Sequence, residues 1–160
     1  MKKKMFSPAG LFLLTTALSG AVLFSSCKKD DNNTTTPKHM YTISGTGNGS
    51  QVVPAFTGSG IGNITGTYNS DSNLLNYTVS WDSLTGDASN VGFYNGAAGV
   101  AGSSVQELSV STPGATGNAT GTLTLTDAQE TDLLNNNWYY SVGTLANATG
   151  EVRGQISAKQ

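Results

Sequence analysis

The side chains that could carry out chemistry in this chain are few, and they form no familiar catalytic set. The 160 residues include one Cys and one His, Cys27 and His39, beside ten Asp and Glu residues. A Ser-His-Asp or Cys-His mechanism needs an imidazole or a thiol within the folded domain. Cys27 and His39 both precede residues 40–160, the part of the chain with the pattern of a folded domain. The sequence also has neither a P-loop nor a dinucleotide-binding glycine motif. The sequence therefore argues against nucleophilic and nucleotide-dependent catalysis, and we expect no cofactor.

Carboxylate pairs are the remaining catalytic option. Asp82 and Asp87 flank a turn, and two carboxylates at a suitable separation can serve a glycosidase. Acidic residues in turns are usually solvated, so we predict that these two are not catalytic. Glu151 and Arg153 lie two positions apart on one strand and share a face. We interpret them as a structural ion pair, or as an arginine bonded to backbone that closes the sheet. A hydrolytic or metal-dependent domain stays open as an alternative.

Aromatic residues supply the candidate binding surface. Strand alternation places Trp81 and Trp138 on apolar faces, where we expect them to belong to the core. It places Tyr94, Tyr139 and Ser141 on the opposite face. Tyrosine presents a flat apolar ring with a polar edge, which suits stacking on sugars. We therefore predict an exposed binding face made of these three residues, with a glycan or an extracellular protein as its partner.

The segment that ends at Cys27 has the layout of a targeting signal. Residues 2–4 are basic, residues 11–24 are apolar without a charge, and residues 25–26 are small. The apolar stretch is too short for a comfortable membrane span and is followed by polar residues, as in a secretory signal peptide. A cysteine directly after the small residues resembles a bacterial lipoprotein signal. The resemblance implies that residues 1–26 are removed and that Cys27 is lipidated; the alternative is an unpaired thiol beside an ordinary cleavage site.

The lipoprotein resemblance also implies a location. The chain departs from the usual lipoprotein signal at Phe24, where that signal usually has Leu. Two or more acyl chains on Cys27 would anchor the protein firmly in a membrane. Lys28 rather than Asp follows the cysteine, which implies sorting to the outer membrane. The run Lys-Lys-Asp-Asp at 28–31 is similar to export tags of surface lipoproteins. Residues 27–39 read as the lipidated cysteine and a flexible polar tether. Periplasmic and cell-surface orientations both stay open.

Composition limits the partners further. Once residues 1–26 are removed, five basic residues remain against ten acidic ones, a formal charge of −5. No basic stripe is present, so we expect no binding to nucleic acid. The remaining chain is the length of one domain and can bury a core without disulfides or metals. We expect a monomer.

The elements that must position these residues are β-strands. Leu75, Tyr77, Val79 and Trp81 alternate with polar residues, and similar short alternations recur between turn-forming clusters. Strands are predicted at about 40–47, 59–68, 74–81, 88–94, around Val105, 122–125, 138–144 and 151–157, with a helix at 127–134.

Residues 40–160 are thus predicted to form one all-β domain, an antiparallel Greek-key β-sandwich of the immunoglobulin-like kind. We expect about eight strands and one short helix. Thr126 and Gln129 fit a capping box at the start of this helix. Ile61 and Ile64 cannot face the same side of strand two, and the sequence leaves open which of them is buried.

Three segments together resemble the CHRD domain, a family named for its repeats in chordin. They are residues 49–54 (GSQVVP), 84–86 (LTG) and 150–155 (GEVRGQ), and the last is the most specific. The resemblance spans about 40–158, implies a β-rich binding or structural module and adds no reaction. The closing segment supplies the predicted structural motif, which consists of Gly150, Glu151, Arg153, Gly154 and Gln155.

The chain departs from the family pattern where many members carry histidines. His-x-His in the family falls at Gly92-Phe93-Tyr94 here, and a third histidine falls at Gly143. A cluster of three imidazoles could bind a metal, and this chain cannot build one. We expect the Tyr94 ring to lie across Gly92 and Gly143, covering exposed backbone.

Overall fold

A computed structural model describes residues 39–160, and within them it confirms the all-β class. The helix α1 spans Asp127–Leu134, as predicted, and the capping box between Thr126 and Gln129 is present. No helix among residues 39–160 has the length and apolarity needed to cross a membrane. The predictions of a signal peptide, a lipidated cysteine and a tether for residues 1–38 lie outside the described residues.

The strands are β1 Met40–Asn48, β2 Ile61–Asn69, β3 Leu74–Asp82, β4 Ala88–Asn95, β5 Ser103–Glu107, β6 Gly117–Thr124, β7 Trp138–Thr144, β8 Val152–Gln155 and β9 Ser157–Lys159.

The nine strands form a single antiparallel sheet. Its order is β5-β4-β7-β8-β1-β2-β3-β6, and β9 also pairs with β1. Tyr77 of β3 and Phe93 of β4 are separated by four strands in this order, yet their ring centroids are 5.0 Å apart. The sheet therefore curls like a half-barrel, and its inner face encloses the core.

One continuous sheet leaves the predicted Greek-key sandwich unconfirmed. The reason is that β1 pairs with β2 on one side and with β8 and β9 on the other. It therefore joins the strands β5-β4-β7-β8 to the strands β2-β3-β6 in one sheet. The last predicted strand divides at Ile156, whose amide donates to the Trp138 carbonyl, at 2.8 Å. β6 begins at Gly117, five residues earlier than predicted.

Alternation along β1 and β2 separates a buried face from a polar one. Ile64 is fully buried, whereas Ile61 is 57% exposed, which settles the question that the sequence left open. The register pairs Gly45 with Ile64 and Thr46 with Asn63, so small and apolar residues point inward and polar side chains point outward. Trp81 and Trp138 are buried in the core, as predicted.

Tyr140 occupies the middle of the curled sheet. Its ring is fully buried, and its hydroxyl reaches glycines on three neighbouring strands. A Cβ atom would lie 2.6 Å from that hydroxyl oxygen at Gly47 and at Gly154, and 3.0 Å from it at Gly62. These glycines provide the space that lets β1, β2 and β8 close around a large aromatic side chain. The same closure fixes β7 and β8, which carry the candidate site on their outer face.

Candidate functional site

The structure brings the three predicted binding residues together on the outer face of β4 and β7. Tyr94 pairs directly with Tyr139 across the two strands, and Ser141 pairs with Gly92. The two tyrosine rings stack with centroids 5.2 Å apart and planes 13° apart. Cross-strand pairs on one face lie close enough for such ring contacts. The adjacency predicted from strand alternation is therefore present.

The predicted exposure of this face is wrong for two of its residues. Tyr139 is only 6% exposed and Ser141 only 8%. The connection between β4 and β5 folds back over the face, and the Gly102 amide donates to the Tyr139 hydroxyl, at 3.0 Å. Tyr94 is half-buried. Because the connection between β4 and β5 covers this part of the sheet, the face that was predicted to be exposed forms the floor of a cleft instead.

Arg153 completes the stack from the other side. Because β7 lies between β4 and β8, Tyr94 and Arg153 approach Tyr139 from opposite directions. The guanidinium carbon lies 3.6 Å from the centre of the Tyr139 ring, within the range of a cation–π interaction. Both faces of the Tyr139 ring are thus covered, which leaves no room for a sugar to stack on it.

The charge of Arg153 has no counter-ion in the part of the chain that the structure describes. Arg153 is 3% exposed, and its Nη2 donates to the Ala97 carbonyl oxygen, at 2.8 Å. No Asp or Glu within residues 39–160 lies at ion-pair distance from it. Of the two roles expected for this arginine, the backbone-bonded one is confirmed and the ion pair with Glu151 is wrong. Burial lowers the pKa of the guanidinium, since the charged form loses hydration.

A cavity of about 230 Å³ opens beside this arginine. Its wall combines the stacked tyrosines, the guanidinium, two valines and small polar groups. The lining residues are Val52, Val53, Tyr94, Ala101, Gly102, Tyr139, Ser141, Ala148, Thr149 and Arg153. We call this cavity the Arg153 cleft. A neighbouring cavity of about 220 Å³ also has Arg153 in its wall.

Glu151 is satisfied by neutral donors instead of by the arginine. It is fully buried, and its carboxylate accepts hydrogen bonds from the Thr85 amide at 2.8 Å, the Thr85 hydroxyl, the Thr144 hydroxyl at 2.7 Å and the Asn147 amide group at 2.8 Å. Burial alone would raise the pKa of this carboxyl, but the four donors outweigh it and lower the pKa to about 2. Glu151 therefore stays ionised and ties β8 to the turn at Thr85.

The expected cover of the glycines by Tyr94 is half correct. A Tyr94 ring carbon lies 3.2 Å from the place where a Cβ of Gly92 would stand. Gly143 is covered instead by backbone, because its Cβ would meet the carbonyl oxygens of Asn147 and Ala148 at 2.8 and 3.2 Å. Residues 39–160 contain no group of three His, Cys, Asp or Glu that could hold a metal.

The predicted turn carboxylates lie apart from the cleft. Asp82 is exposed and accepts a hydrogen bond from the Thr116 hydroxyl at 2.5 Å, a contact that lowers the pKa of Asp82. A general acid needs a raised pKa, so this environment does not suit proton donation. Asp82 borders an open groove of about 490 Å³ over β1, β2 and β3, whose wall otherwise consists of Thr, Gly, Asn, Ile, Ser and Trp residues. Asp87 is exposed as well.

Sequence reasoning missed Arg153 as part of the site. Arg153 lies opposite Ser141 in the register of β7 and β8, and this pairing, which the sequence does not display, brings it to the predicted face. The three motif segments also meet in space. Glu151 binds Thr85, and Val52 lines the cleft together with Arg153.

Comparison with known proteins agrees with the motif reading. A model of the CHRD domain matches residues 43–156, which confirms the resemblance drawn from the three segments. No curated protein and no solved structure matches the chain.

Proposed function

The chain belongs to the CHRD domain family, and we propose that it is a lipid-anchored binding module of the outer membrane. Its CHRD domain takes a ligand in the Arg153 cleft and performs no catalysis. One observation carries the binding role: Arg153 is a buried cation without an anionic partner among residues 39–160, and it lines a cavity. Buried charges are ordinarily paired, so an external anion would complete the site.

The anchor proposal rests on the sequence before the domain. An apolar segment of signal-peptide length ends in two serines and the chain's single cysteine. Cys27 has no second cysteine with which to form an intramolecular disulfide, and acylation would account for a lone thiol in an exported protein. Display at the cell surface would follow from the acidic run after Cys27, with the domain carried on a polar tether.

Non-catalytic binding fits the chemistry of the described carboxylates. Glu151 is held ionised by four neutral donors and is not free to transfer a proton. Asp82 also has a lowered pKa. Sugar stacking on Tyr139, the carbohydrate role considered from sequence, is excluded at that ring by Arg153 and Tyr94. A carbohydrate ligand is compatible with the protein only if it enters the cleft.

Mass spectrometry and cell fractionation test the anchor. The native protein, extracted from membranes, should begin at Cys27 and carry diacylglycerol and an N-acyl chain. Cys27→Ser should release the protein from the outer-membrane fraction, whereas the tether variant Thr35→Ala should stay there. Proteinase K added to intact cells should remove the domain if it faces the medium. A native protein that is soluble and unmodified at Cys27 would rule out anchoring.

A further inference from the structure

We propose that the Arg153 cleft binds a uronic acid, that is, a single sugar ring carrying a carboxylate. The carboxylate would pair with the free edge of the Arg153 guanidinium, and the hydroxyls would contact Ser141 and Thr149. This inference rests on the proposed binding function and names its ligand class.

The charge argument points to a carboxylate. The structure shows one hydrogen bond from the guanidinium, from Nη2 to the Ala97 carbonyl, among the described residues. Its other nitrogens are not among the fully buried atoms that lack a partner, and Arg153 forms part of the wall of the cleft. A planar guanidinium with free N–H groups matches a carboxylate in geometry and charge. The guanidinium carbon already lies 3.6 Å from the centre of the Tyr139 ring, a contact that holds the group in place before any ligand arrives.

The remaining walls suit one sugar ring. A volume of about 230 Å³ lies below the range of drug-sized sites, about 300 to 1,000 Å³, and is enough for one six-membered ring. Val52, Val53 and the edge of Tyr94 offer apolar surface for the C–H groups of a sugar. Ser141 and Thr149 bring hydroxyl groups, and the Ser141 hydroxyl donates to the Val152 carbonyl, at 3.3 Å, which leaves its oxygen free to accept. A ring with hydroxyls and one carboxylate complements each part of this wall.

Calorimetric titration of the full chain in detergent with D-glucuronate tests the proposal, with D-glucose and acetate as matched probes. Glucose keeps the ring without the carboxylate, and acetate keeps the carboxylate without the ring. Glucuronate should bind one to one, and both other probes should bind about tenfold more weakly or worse. Arg153→Lys keeps the charge but loses the planar fork, and should weaken glucuronate binding by about tenfold.

A second variant keeps the test valid if Arg153→Lys unfolds. Thr149→Phe places a ring at the exposed mouth of the cleft with Arg153 unchanged, and should abolish binding. Thr124→Phe makes the same change at an exposed position of β6 and should bind as the native chain does. Equal affinity for glucose, equal affinity for acetate, or unchanged binding by Thr149→Phe would each overturn the assignment. Such a failure would leave the anchor standing, because mass spectrometry of Cys27 tests it separately.

Discussion

Replacing Glu151 with Gln should destabilise the domain strongly at neutral pH and hardly at all in acid. The carboxylate is fully buried and accepts hydrogen bonds from Thr85, Thr144 and Asn147. A glutamine retains one acceptor oxygen, and its amide group would turn hydrogens toward donors of the same kind. Glu151→Gln therefore breaks a network that joins β8 to the turn before β4.

The pKa of Glu151 gives the magnitude. Burial would raise it, but the hydrogen bonds bring it from an ordinary value of 4.5 to about 2 in the folded protein. A depressed carboxyl pKa adds stability above the unfolded pKa and loses it as the pH falls through the folded pKa. At 1.36 kcal/mol for each pKa unit, the ionised form contributes about 3 kcal/mol at pH 7. That contribution should begin to decline near pH 5 and be mostly gone near pH 2.

Urea unfolding of the native chain and Glu151→Gln at several pH values between 7 and 2 measures this effect. The difference in the free energy of unfolding should be about 3 kcal/mol at pH 7 and should shrink toward zero in acid. Glu107→Gln, at an exposed glutamate of β5, is the control and should follow the native curve. If the native chain and Glu151→Gln lose stability in parallel down to pH 2, the carboxylate is not held ionised as described.

Four further substitutions test the packing, each by chemical denaturation. Tyr140→Phe should stabilise the fold by about 1 kcal/mol, because it removes a buried hydroxyl that has no partner among the described residues; a loss of stability would reveal a hydrogen bond there. Gly154→Ala should cost about 2 kcal/mol or more, since the new Cβ would lie 2.6 Å from the Tyr140 hydroxyl oxygen. Ile64→Ala should cost about 3 kcal/mol and Ile61→Ala less than about 0.5 kcal/mol, because only Ile64 is buried. Equal effects at the two isoleucines would contradict the register of β2.

Local patterns were enough to predict most of the strands and the helix. The capping box at Thr126 and Gln129 correctly predicted where α1 begins, because an N-terminal cap is encoded within a few residues. Alternation also identified the residues of β3 and β7 that face the core. Alternation did not determine which face of β2 is buried. Glycines interrupt the apolar pattern there, and Ile61 and Ile64 fall on opposite faces. Pairing of β2 with β1 and β3 resolves this, and such pairing is not local information.

The cleft was only partly predictable. Strand parity correctly placed Tyr94, Tyr139 and Ser141 on one face, but it could not show that the face is covered. The cover comes from the loop after β4, whose Ala97 carbonyl binds Arg153 and whose Gly102 amide binds Tyr139. The Ala97 contact joins residues 56 positions apart and the Gly102 contact residues 37 positions apart, and neither has a periodic signature in the sequence. Their effect is to convert an expected exposed aromatic pair into a stack against a buried cation.

The separation of Glu151 from Arg153 explains how a buried cation remains available. Where an acid and a base lie two residues apart, mutual neutralisation is the arrangement expected from charge alone. Here the Glu151 carboxylate accepts hydrogen bonds from neutral donors of Thr85, Thr144 and Asn147. These bonds stabilise its charge without an ion pair to the arginine. Arg153 is held instead by an aromatic face and one carbonyl, which orient the guanidinium without cancelling its charge. The closing motif thus fixes the sheet through Glu151 and leaves Arg153 charged beside a cavity, the arrangement that the proposed anion-binding site requires.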